Sequence, residues 1–246
     1  MDRLIYTAMT GANAAANRQA VLSNNLANAS TDGFRSELST YRAVPLRGEG
    51  ATTRVFALEA TAGYLDKPGP AHRTDRALDV MTSGNSWFAV QGLDGTEAYT
   101  RNGHLEVSPQ GTLVTSSGLP VLSNGGAPIE VPTGAEVSIA NDGTISAKVG
   151  AQPASNIGRL KMATPTGDDP LKRGDDGLFR AASGDPLNND DNARLHVGAV
   201  EGSNVNAIET MVGMIQTARQ FETQMRLLTT AESNDRSAGQ LLGMQG

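Results

Sequence analysis

The residues able to carry chemistry are few and scattered. His72, His104 and His196 are the only histidines, and no two stand at the short spacing that shares a metal ion. Cysteine is absent, which removes disulfides, thiolate nucleophiles and thiolate metal sites together. Asn188-x-Asp190-x-Asn192 opens like a calcium loop. The glycine such a loop turns on is Ala193 here, and its closing bidentate glutamate is Ala199. Asp175-Asp176-Gly177 reads as a tight turn before Leu178-Phe179. No G-x-x-x-x-G-K-[ST], H-E-x-x-H or G-x-S-x-G occurs. A distant pair of carboxylates for glycoside hydrolysis stays open, since such a pair need not be close along the chain. Against it, Trp87 is the single tryptophan and aromatics make up 4% of the chain, too few for an ordinary sugar cleft. The expectation is a protein without catalytic residues, metal or cofactor.

The elements that would position side chains are more informative. Asp2 is a good N-cap for a helix running to about Asn28, about 40 Å long at 1.5 Å per residue. Within it Ile5, Ala8, Ala12, Ala15, Gln19, Leu22, Leu26 and Ala29 alternate steps of three and four, a heptad seam. Beside that seam runs a line of amides, Asn13, Asn17, Asn24 and Asn28, with Asn25 next to it. The simplest reading of such a line is a solvated face; against it, solvated helix faces usually carry Lys and Glu, and amides buried between helices fix register. Gly33 suits the left-handed turn that ends the segment before Phe34.

Residues 36–76 read as an extended connector with a hairpin, in which short apolar pieces (Val44 to Leu46, Val55 to Leu58) sit among Pro and Gly. From 77 to about 202 turn signals are dense. Asp94-Gly95, Asn102-Gly103 and Asp142-Gly143 separate short alternating runs such as Trp87 to Val90, Ala98 to Thr100, His104 to Val107 and Thr144 to Ser146. That is an antiparallel β domain, with Asp168 to Gly177 and Asn188 to Asn192 read as polar loops. Ser203-Asn204-Val205-Asn206 is cap chemistry, and Asn206 with Glu209 resembles a capping box. Ile208, Met211, Ile215, Ala218, Phe221, Met225 and Leu228 then form a second seam. The expected class is α+β: paired, coiled-coil-like N- and C-terminal helices (1–35 and 203–246) plus a central antiparallel β domain (77–202). Narrow stripes on two long helices are covered most simply by each other.

Composition sets limits. A net charge of −6 argues against a nucleic-acid surface, which needs a basic stripe, and 38% hydrophobic residues with 4% aromatics over 246 positions are lean for a single packed globule. No apolar run approaches the ~18 residues of a membrane span. Met1-Asp2-Arg3 and the amphipathic segment after it do not read as a cleavable signal.

One stretch is specific. Asn24-Asn25-Leu26-Ala27-Asn28-Ala29-Ser30-Thr31-Asp32-Gly33-Phe34 resembles the N-terminal signature of the bacterial flagellar rod and hook family. Glu201-Gly202-Ser203-Asn204-Val205-Asn206, Met211-Val212 and Arg219-Gln220-Phe221-Glu222 resemble its C-terminal signature. Leu78-Asp79-Val80, the segment around Trp87-Phe88, and Tyr99 to Gly103 resemble its middle β domain. The opening Met1 to Met9 and Gly174 to Phe179 are most similar to the proximal-rod branch, with distal-rod or hook members as the alternative. Val200-Glu201-Gly202 departs mildly from the Leu-Glu-x usual there.

The resemblance implies an axial structural protein of the basal-body rod. It implies export unfolded through the type III pathway without a cleaved signal, and a place in the rod where it crosses the periplasm. Its partners would be other rod proteins and copies of itself in a helical tube around the export channel, and the export apparatus during secretion. The residues it points to as an assembly interface are the first seam (Ile5, Ala8, Ala12, Ala15, Leu22, Leu26), Asn24, Asn25, Asn28, Gly33 and Phe34, then Ser203, Asn204, Val205 and the second seam. A secreted binding module with a simple helical hairpin is the more remote reading, and a cell-wall carbohydrase ranks last.

Overall fold

The computed structural model describes residues 2–45 and 55–243. Helix α1 (Asp2–Ala27) opens the chain and helix α2 (Ala207–Gly243) closes it, and the chain divides into two compact units. The helical unit takes residues 1–29, 36–65 and 205–246; the β unit takes 30–35 and 66–204. The connector reading is thus divided: residues 36–65 belong with the helices and 66–76 with the β unit. The loop 30–35, read as the end of the first helix, also belongs to the β unit.

In the helical unit α1 and α2 pair. Gly11 of α1 faces Gln224 of α2, whose Cδ lies 3.0 Å from where a Cβ would stand; Gly213 of α2 faces Leu22, 3.4 Å away by the same measure. Both contacts fit one antiparallel register. With 37 residues against 26, α2 is longer by roughly three turns. Strands β1 (Glu37–Pro45) and β2 (Val55–Tyr64) form an antiparallel ribbon with a register shift at Thr40/Tyr41, and both strands contact α1. The sequence-level hairpin is therefore present and longer than its apolar pieces implied. Leu46 lies outside the described residues.

The β unit is built from short antiparallel strands. In chain order they are β3 (Ala71–Arg73), β4 (Val80–Thr82), β5 (Trp87–Gln91), β6 (Glu97–Thr100), β7 (Leu105–Val107), β8 (Leu113–Thr115), β9 (Ala135–Ile139), β10 (Thr144–Val149), β11 (Ser155–Arg159), β12 (Met162–Ala163), β13 (Leu171–Arg173), β14 (Phe179–Ala181), β15 (Leu195–Val197) and β16 (Ala199–Glu201). The largest sheet has the order β12-β5-β6-β14-β13, and β11-β10-β9 forms a second. Late strands return to early ones: β15 pairs β4, and β16 pairs β3. Their apolar alternation closes a core around Phe88, Val90, Leu105, Leu113, Ile145 and Leu160. Strand β13 lies inside the stretch read as a polar loop. Its Leu171 is buried and pairs with Ala181, a single apolar position too short for an alternation to be read.

Loop carboxylates hold the turns of this unit. Asp190 accepts from Thr164 Oγ1 at 2.7 Å and from the Asn192 amide at 3.0 Å. Those donors, the Thr164 hydroxyl first, keep its carboxyl below the usual aspartate range. Arg180 does the same for Asp176, and the Thr96 hydroxyl for Asp94. Each group returns to its ordinary value when the chain unfolds. The stabilisation is therefore present above the unfolded aspartate pKa of about 3.9 and lost as pH falls through the lower folded values. The urea midpoint of the β unit should fall as pH is taken from neutral through that range. A midpoint that holds or rises would contradict the assignment.

Candidate functional site

The helix pair buries a stripe that the sequence does not advertise. On α1 the expected seam does face inward: Ala8, Ala12 and Ala15 are buried, and Ile5, Leu22 and Leu26 are half-buried. On α2 the inward positions are Thr210, Thr217 and Ala231, all buried, with Met214, Gln224 and Leu228 half-buried. These step by four, three, seven, four and three, a heptad spacing with the exposed Phe221 in its one gap. The expected second seam lies largely outside: Ile208 is 76% exposed, Ile215 56% and Met211 50%, and Met225, Ala218 and Phe221 are exposed as well. Only Leu228 of that set belongs to the inward stripe. This corrects the expectation that Ile208 to Leu228 covers the first seam.

The physical reason is size. At the fully buried positions the alanine seam meets small side chains, Thr210, Thr217 and Ala231, and threonine suits such a place once its polarity is hidden. Thr210 Oγ1 donates to Asn206 O at 2.8 Å, and Thr217 Oγ1 to Gly213 O at 2.8 Å, the bond to the preceding turn that a helical threonine can make. Asn206 caps the helix as read, its Oδ1 accepting from the Ile208 and Glu209 amides at 3.1 and 3.3 Å. The larger side chains Met211, Val212, Ile215 and Met225 are left as an open apolar strip on the other side of α2.

The amides separate into two groups. Asn13, Asn17 and Asn24 are exposed, and Asn28 Nδ2 donates back to Asn24 O at 2.9 Å. Asn25 is internal. Its Oδ1 accepts from the Glu37 amide at 2.8 Å and its Nδ2 donates to Glu37 O at 3.0 Å, which mimics one rung of a β ladder and ties β1 to α1. Asn25→Ala should strand both backbone groups and lower the stability of the helical unit by about 1–3 kcal/mol. Asn24→Ala should stay within about 0.5 kcal/mol, as an exposed site does. Equal urea midpoints for the two variants would overturn this division.

Within the β unit the two signature motifs meet around one carboxylate. The chain passes between its units at 29/30, 35/36, 65/66 and 204/205, and the segments 30–35, 66–70 and 199–204 beside those passages are bonded together. Glu201 and Arg35 are each 1% exposed, with Arg35 Nη1 2.7 Å from Glu201 Oε1. That oxygen also accepts from the Gly69 amide at 3.0 Å, and Oε2 lies 3.2 Å from Arg101 Nη1. Arg35 Nη1 donates as well to Lys67 O, and Asn204 Nδ2 donates to the same carbonyl at 2.8 Å. Arg101 also donates to Thr82 Oγ1 and Gly84 O. Both guanidiniums lie over the ring of Trp87, 5.8 and 5.1 Å from its centroid.

Backbone closes the same node. Gly33 N donates to Glu201 O at 2.6 Å, and Asn204 N to Phe34 O at 3.2 Å. Gly33 has φ +71, and a Cβ there would run into the Arg101–Asn102 backbone, so both conformation and space require glycine. The Phe34 ring carries the Arg173 guanidinium 4.6 Å from its centroid. Ser203 is buried, and Val205 begins the run into α2 half-buried. Gly33, Phe34, Ser203 and Asn204 are thus gathered in one place.

Sequence reasoning missed Arg35, Arg101 and the role of Glu201. The available signal was a charged residue directly beside apolar signature positions, Phe34-Arg35 and Val200-Glu201. Among the described residues no cluster of His, Asp and Glu could hold a metal ion, and no helix is long and apolar enough to cross a membrane.

Two signatures tied to one buried carboxylate, at the two ends of a helix-flanked β unit, are the arrangement on which family membership can be tested. A family model described as the flagella basal body rod protein matches residues 5–35. The flagellar hook protein FlgE/F/G D1 domain matches 81–147, and the flagellar basal body rod FlgEFG protein C-terminal model matches 196–241. The chain belongs to the flagellar basal-body rod and hook protein family. Among curated relatives it is 47% identical over 253 residues to the flagellar basal-body rod protein FlgF of Escherichia coli (strain K12), covering 99% of this chain and 100% of that one. It is 46% identical to FlgF of Salmonella typhimurium with the same coverage. To the flagellar basal-body rod protein FlgG of Buchnera aphidicola subsp. Acyrthosiphon pisum it is 30% identical, over 96% and 98%.

Proposed function

We propose that this chain is a non-catalytic structural subunit of the flagellar basal-body rod, in its proximal part, polymerising with other axial proteins and copies of itself. The observation that carries the reading is the open apolar strip of α2, Ile208, Met211, Val212, Ile215 and Met225, on a helix whose opposite side is already covered by α1. A terminal helix with one side satisfied and a second apolar side free is built to be completed by a neighbour. Identities of 47% and 46% to two relatives named FlgF, against 30% to one named FlgG, support the proximal placement. In this reading the chain leaves the cell unfolded through the type III apparatus, and its terminal helices line the inner tube of the rod in the periplasm. The paired helices have coiled-coil character, and the exposed Asn24 and the half-buried Asn28 contact neighbouring subunits.

The amides give the test. Asn24→Ala with Asn28→Ala should leave the β unit's thermal transition unchanged, because both lie in the helical unit away from its covered stripe. As inter-subunit contacts their loss strands partners at about 1–3 kcal/mol per site, repeated at every subunit. The double variant should be exported yet fail to restore swimming to cells lacking this chain. Full swimming by an exported double variant would refute the amide contact.

A further inference from the structure

Two Asn-Gly sequences occur in the β unit, and the structure gives them opposite surroundings. Asn-Gly is the dipeptide in which a side-chain amide is most open to attack by the following backbone nitrogen, because glycine has no Cβ to shield that nitrogen or restrict its approach. At Asn102-Gly103 that attack is blocked. Asn102 Oδ1 accepts from the His104 amide at 3.0 Å and its Nδ2 donates to Ser116 Oγ at 2.9 Å. Gly103 is buried and so close to Val80 O that no Cβ would fit. Bringing the Gly103 nitrogen onto the Asn102 amide requires breaking both side-chain bonds and moving packed backbone.

At Asn124-Gly125 nothing comparable holds. Both residues are exposed, as are Gly126, Ala127 and Pro128 after them. The turn is held at its base, with Ser123 N donating to Ala127 O and Gly126 N to Ser123 O, both at 2.8 Å, and Asn124 N to Arg159 O at 3.1 Å. The Asn124 side chain and the Gly125 nitrogen carry none of those bonds. Space around Gly125 is open, with only Ser123 Oγ within 4 Å of a Cβ position, and Gly126 beyond it has φ +77. Two adjacent glycines give the tip the backbone freedom that ring closure requires.

We infer that Asn124 is a site of spontaneous deamidation in the folded chain. The Gly125 amide nitrogen, losing its proton to base, attacks Asn124 Cγ. A Cγ–N bond forms, the Cγ–Nδ2 bond breaks, and ammonia leaves with the proton, closing a five-membered succinimide. Water then adds to either ring carbonyl and opens the ring to aspartate or isoaspartate, with no change of oxidation state. The product adds one negative charge at the tip, and in the isoaspartate form one methylene to the backbone between Ser123 and Ala127, so the bonds at the base of this turn loosen.

The experiment is peptide mapping by mass spectrometry on the folded full chain, held at mildly alkaline pH and sampled over weeks, with protein isoaspartate methyltransferase labelling of the product. Asn124 should convert at least about ten times faster than Asn102, whose reaction waits on local opening. In urea, where that protection is gone, the two rates should converge. Gly125→Ala, whose open surroundings accept a methyl group, should slow conversion at Asn124 at least about tenfold. Equal rates at the two asparagines in the folded chain, or an unchanged rate in Gly125→Ala, would overturn the assignment.

Discussion

Glu201→Ala is expected to cost the β unit about 3–5 kcal/mol, the usual consequence of removing one partner from a buried ion pair. The variant leaves Arg35 and Arg101, 1% and 2% exposed, facing each other without the carboxylate between them. It also strips the Gly69 amide of its acceptor. Against a total stability of about 5–15 kcal/mol for a domain, that loss is a large fraction. Trp87, the one tryptophan, carries both of these guanidiniums, 5.8 and 5.1 Å from its ring centroid, so its fluorescence reports the node directly in a urea titration. The exposed pair Arg73–Asp75, with side chains 83% and 73% accessible, is the internal control, and its removal should change little. A Glu201→Ala midpoint no lower than that of Arg73→Ala would show that the node is not what holds the two signature segments.

The second large effect lies on the helices, and it should appear only on assembly. Met211→Glu with Ile215→Glu changes side chains that are half exposed in the single chain, so the monomer should lose no more than about 0.5 kcal/mol per site. If a neighbour covers them, each substitution removes roughly 1.5–3 kcal/mol of apolar burial and places a charge where it must be desolvated. The defect recurs at every subunit, so incorporation into the rod and swimming should be lost while the circular dichroism and melting of the isolated chain stay as they were. A variant that melts early as a monomer would place these residues in the chain's own core instead. One that swims normally would leave the strip without a partner.

The contrast between these two sites shows what could be read from the chain. The α+β arrangement, the first seam, the Asn206 cap and the turns at Asp94-Gly95 and Asp142-Gly143 follow from local pattern, and the fold contains them. The second seam was legible as a stripe but not as to its direction. Ile208, Met211 and Ile215 outrank Thr210, Met214 and Thr217 in apolarity, and the sequence does not show that the threonines hide their hydroxyls against the preceding turn. Which stripe faces α1 depends on how closely two helices approach, a property of both together. Arg35 and Glu201 lie 166 positions apart along the chain, and no period links them. Gly33 reads as a left-handed turn before Phe34, and it lies in the loop that follows α1, which stops at Ala27 close to the expected end at Asn28. The glycine is needed where the later turn meets the Arg101–Asn102 backbone, a contact no local pattern encodes. Asn25 and Asn24 are chemically alike and adjacent, and only the position of Glu37 separates them.

The most direct measurement is the protein content of basal bodies purified from cells in which this chain has been replaced by an epitope-tagged copy, read by quantitative mass spectrometry and by antibody labelling in electron micrographs. The account predicts the tagged chain in fixed proportion to the other rod proteins, with label on the rod, and predicts that the Met211→Glu, Ile215→Glu variant is exported but missing from the same particles. Intact, functioning basal bodies that lack the exported wild-type chain would contradict it.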